Sequence, residues 1–151
     1  MATVDAEVQE KTRTGKPGGA LIQCVVVTPE RTLFDELVDF VALPLYDGEL
    51  GVLPGRTPLI GRLGFGELRT RTGGTTRRYF VDGGFVQVRD DVVTVLTNRA
   101  TEAARVDTGA AVRELEQAQS RRATSDYEIE DRARAIARAR ALIRTGSGGR
   151  G

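Results

Sequence analysis

Three sets of residues in this chain are of types that do chemistry. The first is carboxylates in close pairs: Asp35-Glu36, Asp90-Asp91, and Asp47 with Glu49. General acid–base work needs two carboxylates held in different environments. Neighbours on a strand point to opposite faces, however, and Asp90-Asp91 falls where a turn is expected. The second is a glycine-rich run, Asp47-Gly48-Glu49-Leu50-Gly51-Val52-Leu53-Pro54-Gly55. It lacks the Lys-Ser/Thr of a phosphate-binding loop, and no Gly-x-Gly-x-x-Gly opens a helix. The third is a set of arginines near the C-terminal end: Arg132, Arg134, Arg138, Arg140 and Arg144, with no acid after Asp131. Acids at the start of a helix and bases at its end complement the macrodipole. Five arginines and no lysine exceed that need, and Arg suits carboxylate pairing at an interface.

What is missing narrows the chemistry further. The 151 residues contain no histidine and one cysteine, Cys24. A Ser-His-Asp triad, a Cys-His dyad and an ordinary structural zinc site are therefore excluded. Lys11 and Lys16 are the only lysines. Cys24 lies in the apolar run Cys24-Val25-Val26-Val27 and reads as a small buried hydrophobe in a reducing compartment. The formal net charge of +1 gives no electrostatic case for nucleic acid as a partner, and no aromatics interleave with the terminal arginines. No apolar run approaches a membrane span, and the N-terminus has no apolar stretch of the secretory kind.

These residues must be positioned by two kinds of element. Ten of the 18 glycines fall between Gly48 and Gly84, among β-branched runs, the mark of an all-β body with tight corners. Strands are expected at 21–27, 32–34, 37–43 (ended by Pro44), 48–53, 66–72, 75–81, 85–89 and 92–97. Gly73-Gly74 and Asp90-Asp91 are the hairpin turns. About eight to ten strands at this spacing predict a sandwich. In 75–81, Arg77, Tyr79 and Val81 share one face and Arg78 and Phe80 the other, and neither face is cleanly apolar.

From Ala110 to Arg144 there is no Gly or Pro, and nine residues are Ala, which is helix composition. Ser125 with Glu128 forms a capping-box pattern after a break at Thr124-Ser125-Asp126. Asp107 or Thr108 would cap the first helix. Ala111, Leu115 and Ala118 line one helix; Ile129, Ala133, Ile136 and Ile143, with Ala137 nearby, line the other. The fold is thus mostly β plus α, a β-sandwich followed by an antiparallel two-helix hairpin. Its expected divisions are a tail at 1–19, the sandwich at 20–99, the hairpin at 100–144 and a tail at 145–151. Narrow Ala-rich stripes bury little area, so the hairpin should be weakly held and able to open.

The run from Asp47, together with Pro58-Leu59-Ile60, Gly64-Phe65-Gly66 and Phe80-Val81-Asp82-Gly83-Gly84-Phe85-Val86-Gln87-Val88, resembles the epsilon subunit of the F-type ATP synthase. That family reads approximately D-G-E-x-G-V-L-P-G-H-x-P, then L-x-x-G, then F-V-x-G-G-F-x-x-V. Arg56 stands where the family usually has His. The resemblance covers roughly 21–144. It implies a non-catalytic central-stalk (rotor) subunit of a proton-translocating F-type ATP synthase, without cofactor, peripheral at the cytoplasmic face of the cell membrane. Implied partners are a gamma-type stalk subunit, the membrane c-type ring and acidic surfaces of the catalytic alpha/beta-type subunits. Implied interface residues are Asp47, Gly48, Gly51, Pro54, Gly83 and Gly84, and the arginine helix would restrain ATP hydrolysis.

Some epsilon subunits bind ATP at the hairpin through Ile/Leu-Asp-x-x-Arg-Ala. Here Asp107 is kept, the motif Arg is Ala110, Arg138 matches one basic position and Leu142 stands at another. Loss of guanidinium donors argues against strong ATP binding. The alternative from a different class is a free-standing β-sandwich binding module whose helices oligomerise. A small carboxylate enzyme is a further rival, weakened by the absence of histidine.

Overall fold

The computed structural model describes residues 20–148. The expected tail at 1–19 and residues 149–151 lie outside the described residues. Eight strands form the N-terminal part: β1 Ile22–Val27, β2 Thr32–Val38, β3 Phe40–Leu45, β4 Gly48–Val52, β5 Leu59–Thr72, β6 Thr75–Arg89, β7 Val92–Leu96 and β8 Ala100–Glu102. Their order is β2-β1-β7-β6-β5-β3-β4, with β8 also on β6. All pairs are antiparallel except β1 with β7. The two long strands serve both layers of the sandwich. The end of β6 from Phe85 to Arg89 pairs with β7, and Tyr79 to Val81 pairs with β8.

The expected separate strands 75–81 and 85–89 are one strand that bends. The bend falls at Gly83 and Gly84, with φ of +71° and +113°. Glycine turns the corner there without ending the strand. A Cβ at Gly84 would run into the Leu96 carbonyl oxygen. The expected strand 66–72 likewise begins earlier, at Leu59. Pro44, expected to end a strand, lies inside β3 opposite Glu49. Its missing N–H coincides with a register shift against β5 between Ala42 and Leu45, the one kind of place an internal strand accepts proline. β8 continues the sheet past the expected last strand.

The expected turns form as local chemistry dictates. Asp90 and Asp91 have φ of +51° and +60°, the two left-handed positions of a tight hairpin. Asp91 Oδ1 accepts the Gly55 N–H at 2.7 Å, and Asp39 Oδ2 accepts the Gly73 N–H at 2.6 Å. Of the paired carboxylates, Asp91 thus holds a corner, while Asp35, Glu36 and Glu49 bond side chains of other strands. Asp35 accepts from Gln23 Nε2 at 2.8 Å and Glu36 accepts from Arg77 at 2.8 Å.

Between the layers lie Ile22, Cys24 and Val26 of β1, Leu63 and Leu68 of β5, Tyr79, Val81, Val86 and Val88 of β6, and Val93 and Val95 of β7. Burial, then the nearby carboxylates of Glu36 and Asp35, push the Cys24 thiol up to about 12. Phe80 is buried too, at 1% exposure, yet stands outside this cluster. Alternation along β6 turns it to the outer face.

That outer face is covered by the helices. After a 3-10 turn at Ala103–Arg105 come α1, Thr108–Ser120, and α2, Asp126–Gly146. Asp107 caps α1, accepting the Ala110 N–H at 3.0 Å. The Ser125 hydroxyl caps α2, accepting the Glu128 N–H at 3.2 Å and donating to its carboxylate at 2.9 Å. Helix α2 runs two residues past the expected end at Arg144, and Thr145 is buried. A Cβ on Gly146 would lie 2.5 Å from Thr108 Cγ2, so glycine there lets the end of α2 meet the start of α1.

The buried positions are Ala111 and Ala118 on α1 and Ala139, Ala141 and Thr145 on α2. For α2 this is not the expected stripe. Ile129 is 51% exposed, Ala133 and Ala137 are exposed, and Ile136 and Ile143 are half-buried. The smallest side chains face inward because α2 packs against α1 and the sheet at once. The bulkier isoleucines are left to the rims.

Candidate interface and hairpin contacts

The residues expected at an interface fall into separate places. Asp47 and Gly48 form the β3–β4 corner, whose Tyr46 N–H donates to the Arg62 carbonyl at 2.8 Å. Gly84 pairs with Leu63 one step along β5. These two corners are joined by a row of side chains across the strands. The Arg62 guanidinium lies 4.5 Å from the Tyr46 ring centre, Arg62 pairs with Phe85, and Phe85 pairs with Leu96. Pro54 lies elsewhere, next to Gly55 on the Asp91 carboxylate, at the Leu59–Val88 end of the ladder. Gly51 sits against Phe40, whose Cε1 would be 3.3 Å from an added Cβ.

Sequence reasoning missed the exposed apolar side chains in this region. Tyr46 is 70% exposed, Ile60 79%, Phe85 57% and Leu96 51%. Phe85, Leu96, Thr97 and Arg62 line a shallow depression with Val27 and Pro29. The signal was present as apolar neighbours on opposite faces: Leu59-Ile60, Phe85-Val86 and Val95-Leu96. A strand with one wet face would carry polar residues at half of these positions. Contiguous exposed apolar surface marks a contact site.

The five arginines do not share one face of α2. At about 100° per residue, Arg140 and Arg144 fall on one side and Arg134 and Arg138 on another. Arg138 points inward: its Nε and Nη2 each lie 3.0 Å from Asp82 Oδ2, and its Nη1 lies 3.2 Å from Glu114 Oε2. The same guanidinium lies 5.7 Å from the Phe80 ring centre. Arg132 donates to the Gln119 carbonyl at 2.8 Å, closing the end of α1. Arg134 reaches Asp131 at 3.7 Å. Arg140 and Arg144 are exposed and make no ion pair among the described residues. A further arginine, Arg78 of β6, bridges Glu67 at 2.5 Å and the Thr145 carbonyl at 2.8 Å. It holds the C-terminal end of α2 to the sheet.

The two weak ATP candidates are not brought together. Asp107 is engaged as the α1 cap. Glu114, the α1 residue that meets Arg138, lies about two helical turns further along. Arg138 already has two carboxylates for its donors. No described helix is long and apolar enough to cross a membrane.

Comparison with known proteins bears on the whole arrangement. The family model described as ATP synthase, Delta/Epsilon chain, beta-sandwich domain matches residues 21–103. The chain is 51% identical over 123 residues to the ATP synthase epsilon chain of Rhodopirellula baltica, covering 82% of this chain and 96% of that one. It is 46% identical over 86 residues to that of Pelotomaculum thermopropionicum, 57% of this chain and 64% of the relative. Its fold matches a chain in the cryo-EM structure of the Euglena gracilis mitochondrial ATP synthase (OSCP/F1/c-ring in rotational state 1). The TM-score is 0.75 at 24% identity, over 85% of this chain and 84% of that chain. A second match is to a chain of the Tetrahymena thermophila mitochondrial ATP synthase central stalk and c-ring, with a TM-score of 0.66 at 12% identity, over 83% and 96%. With the sandwich, the paired helices and the matched sequence together, the chain belongs to the ATP synthase delta/epsilon chain family.

Proposed function

We propose that this chain is a non-catalytic central-stalk subunit of a proton-translocating F-type ATP synthase. In this reading it couples the catalytic head to the membrane ring and restrains ATP hydrolysis through its C-terminal helices. The observation that carries the proposal is the division of labour in the surface. One face of the sandwich offers the apolar row Tyr46, Phe85 and Leu96, with Ile60 two residues along β5 from Arg62. The outer face of β6 is occupied by α2 through alanines and charges. The apolar row suits a permanent contact, because exposed apolar area of this kind is stabilised only by a partner. The helix contact suits a reversible one. We assign the apolar row, with the corners at Asp47-Gly48 and Gly83-Gly84, to the gamma-type stalk subunit and the c-type ring. Gly51 of β4 and Pro54, in the turn after that strand, would support that surface.

In the extended state, Arg140 and Arg144 would meet acidic surfaces of the alpha/beta-type subunits. Arg134, exposed and paired among the described residues only with Asp131 of its own helix, would join them, whereas Arg132 and Arg138 would do so only once α2 has left the sandwich and α1. The chain would associate with the cytoplasmic face of the membrane through its partners alone. Nucleotide is not required to hold the hairpin down, since Asp82 and Glu114 occupy the Arg138 donors that phosphate oxygens would need. Co-purification with the gamma-type subunit tests the assignment. Wild type should be retained and the double variant F85S/L96S lost. Failure of wild type to bind any rotor subunit would favour a free-standing binding module.

A further inference from the structure

Arg138 belongs to two interfaces at once. Through Nε and Nη2 it holds Asp82 of the sandwich, and through Nη1 it holds Glu114 of α1. Its guanidinium lies over Phe80, and its side chain is 27% exposed against 21% for Asp82 and 52% for Glu114. The fork is rigid and planar, so fixing one edge orients the other. A residue that only tied the helices together, or only tied α2 to the sheet, would let those contacts break separately. One guanidinium shared by both does not.

We infer that Arg138 is a shared node that makes undocking of α2 from the sandwich and its separation from α1 one concerted step. Glu114, whose ion-pair partner among the described residues is Arg138 alone, then acts as a positioning residue for the Arg138–Asp82 contact. It controls release of α2 from the sheet by aiming the guanidinium. The second grip, Arg78 on Glu67 and the Thr145 carbonyl, involves neither α1 nor Arg138, so it stabilises docking without coupling the two steps. The inference rests on the reading that the hairpin moves, and it adds which residue sets the order of movement.

Fluorescence energy transfer in the isolated full chain tests it. One labelled pair, Arg56→Cys with Ala137→Cys, spans sandwich and α2. A second, Val112→Cys with Ala137→Cys, spans the two helices. All three positions are exposed, and Cys24 is too buried to compete for label. E114Q should raise the undocked fraction seen by the first pair by roughly 1.5- to fivefold, as D82N does, the size expected for loss of one partly exposed ion pair. Both pairs should separate together, and the effects of E114Q and D82N should vanish in an R138Q background. E116Q, a neighbouring exposed carboxylate on α1, should do nothing. R138K keeps the charge without the fork. It should undock to an intermediate degree and be insensitive to E114Q. The inference is overturned if E114Q leaves docking unchanged, if its effect persists in R138Q, or if R138K couples as wild type does. Hydrolysis by the assembled complex tests the brake separately, so either idea can fail while the other stands.

Discussion

Replacing Phe80 by Ala should detach the hairpin and leave the sandwich folded. Phe80 is 1% exposed but absent from the interlayer cluster, while its sequence neighbours Tyr79 and Val81 belong to that cluster. Its ring is covered on the side where α2 lies and Arg138 sits over it. Of the roughly 150–250 Å² an aromatic side chain buries, truncation to Ala forfeits about 100 Å² or more, which at ~25 cal/mol per Å² is about 2.5 kcal/mol or more. A cavity would raise the cost toward ~3–5 kcal/mol, but α2 is free to leave instead, so the lower figure applies. A loss of about 2.5 kcal/mol moves the docking equilibrium by roughly 60-fold, at ~1.4 kcal/mol per tenfold. Native-state hydrogen exchange reads this directly. Amides of α2 should lose protection by that order while those of β1 and β7 keep theirs. A uniform loss across strands and helices would make Phe80 part of the sandwich core. Unchanged α2 protection would mean that the ring contributes nothing to docking.

Gly84→Ala should destabilise the sandwich by ~3 kcal/mol or abolish folding, because φ is +113° and the new Cβ meets backbone. Gly74→Ala, with open space around it, should stay within ~0.5 kcal/mol by denaturant titration. Cys24 should resist thiol reagents at neutral pH until the chain is unfolded. Its folded thiol ionises near 12 against an ordinary 9.0, so the unfolded state loses the proton first. This stability is intact below pH 9 and falls as pH rises from 9 towards 12, at up to about 1.4 kcal/mol per pH unit; Cys24→Ala should flatten that limb. R140A/R144A should raise hydrolysis in the assembled complex several-fold without undocking the hairpin, since neither residue makes an ion pair among the described residues. Unchanged hydrolysis would make them a solvated face.

Features that depend on near neighbours were legible in the sequence. The turns at Gly73-Gly74 and Asp90-Asp91 and the Ser125–Glu128 cap are set by residues within a few positions of one another. The Asp107 cap of the first helix was legible in the same way. What escaped was decided by distant parts of the chain. Gly83-Gly84 read as a strand end because the sequence does not reveal that Leu96 presses against the bend. Pro44 read as a terminator because the register shift that tolerates it lies on β5. The buried side of α2 read wrongly because two surfaces, α1 and the outer face of β6, compete for it. Alanine fits both where isoleucine does not. For the same reason Arg138 looked like one of five outward arginines. Its partners Asp82 and Glu114 are 56 and 24 residues away. The Tyr46–Phe85–Leu96 row needed the pairing of three strands before it became a surface.

ATP hydrolysis by the reconstituted complex, with the full chain compared with a chain ending at Arg105, tests the central claim most directly. That cut keeps β8 in the sheet and removes both helices. The truncated chain should incorporate as well as the full one, and hydrolysis should rise several-fold while ion-coupled synthesis persists. Equal hydrolysis by the two complexes, at equal incorporation, would contradict the assignment of the helices as a brake on the rotor.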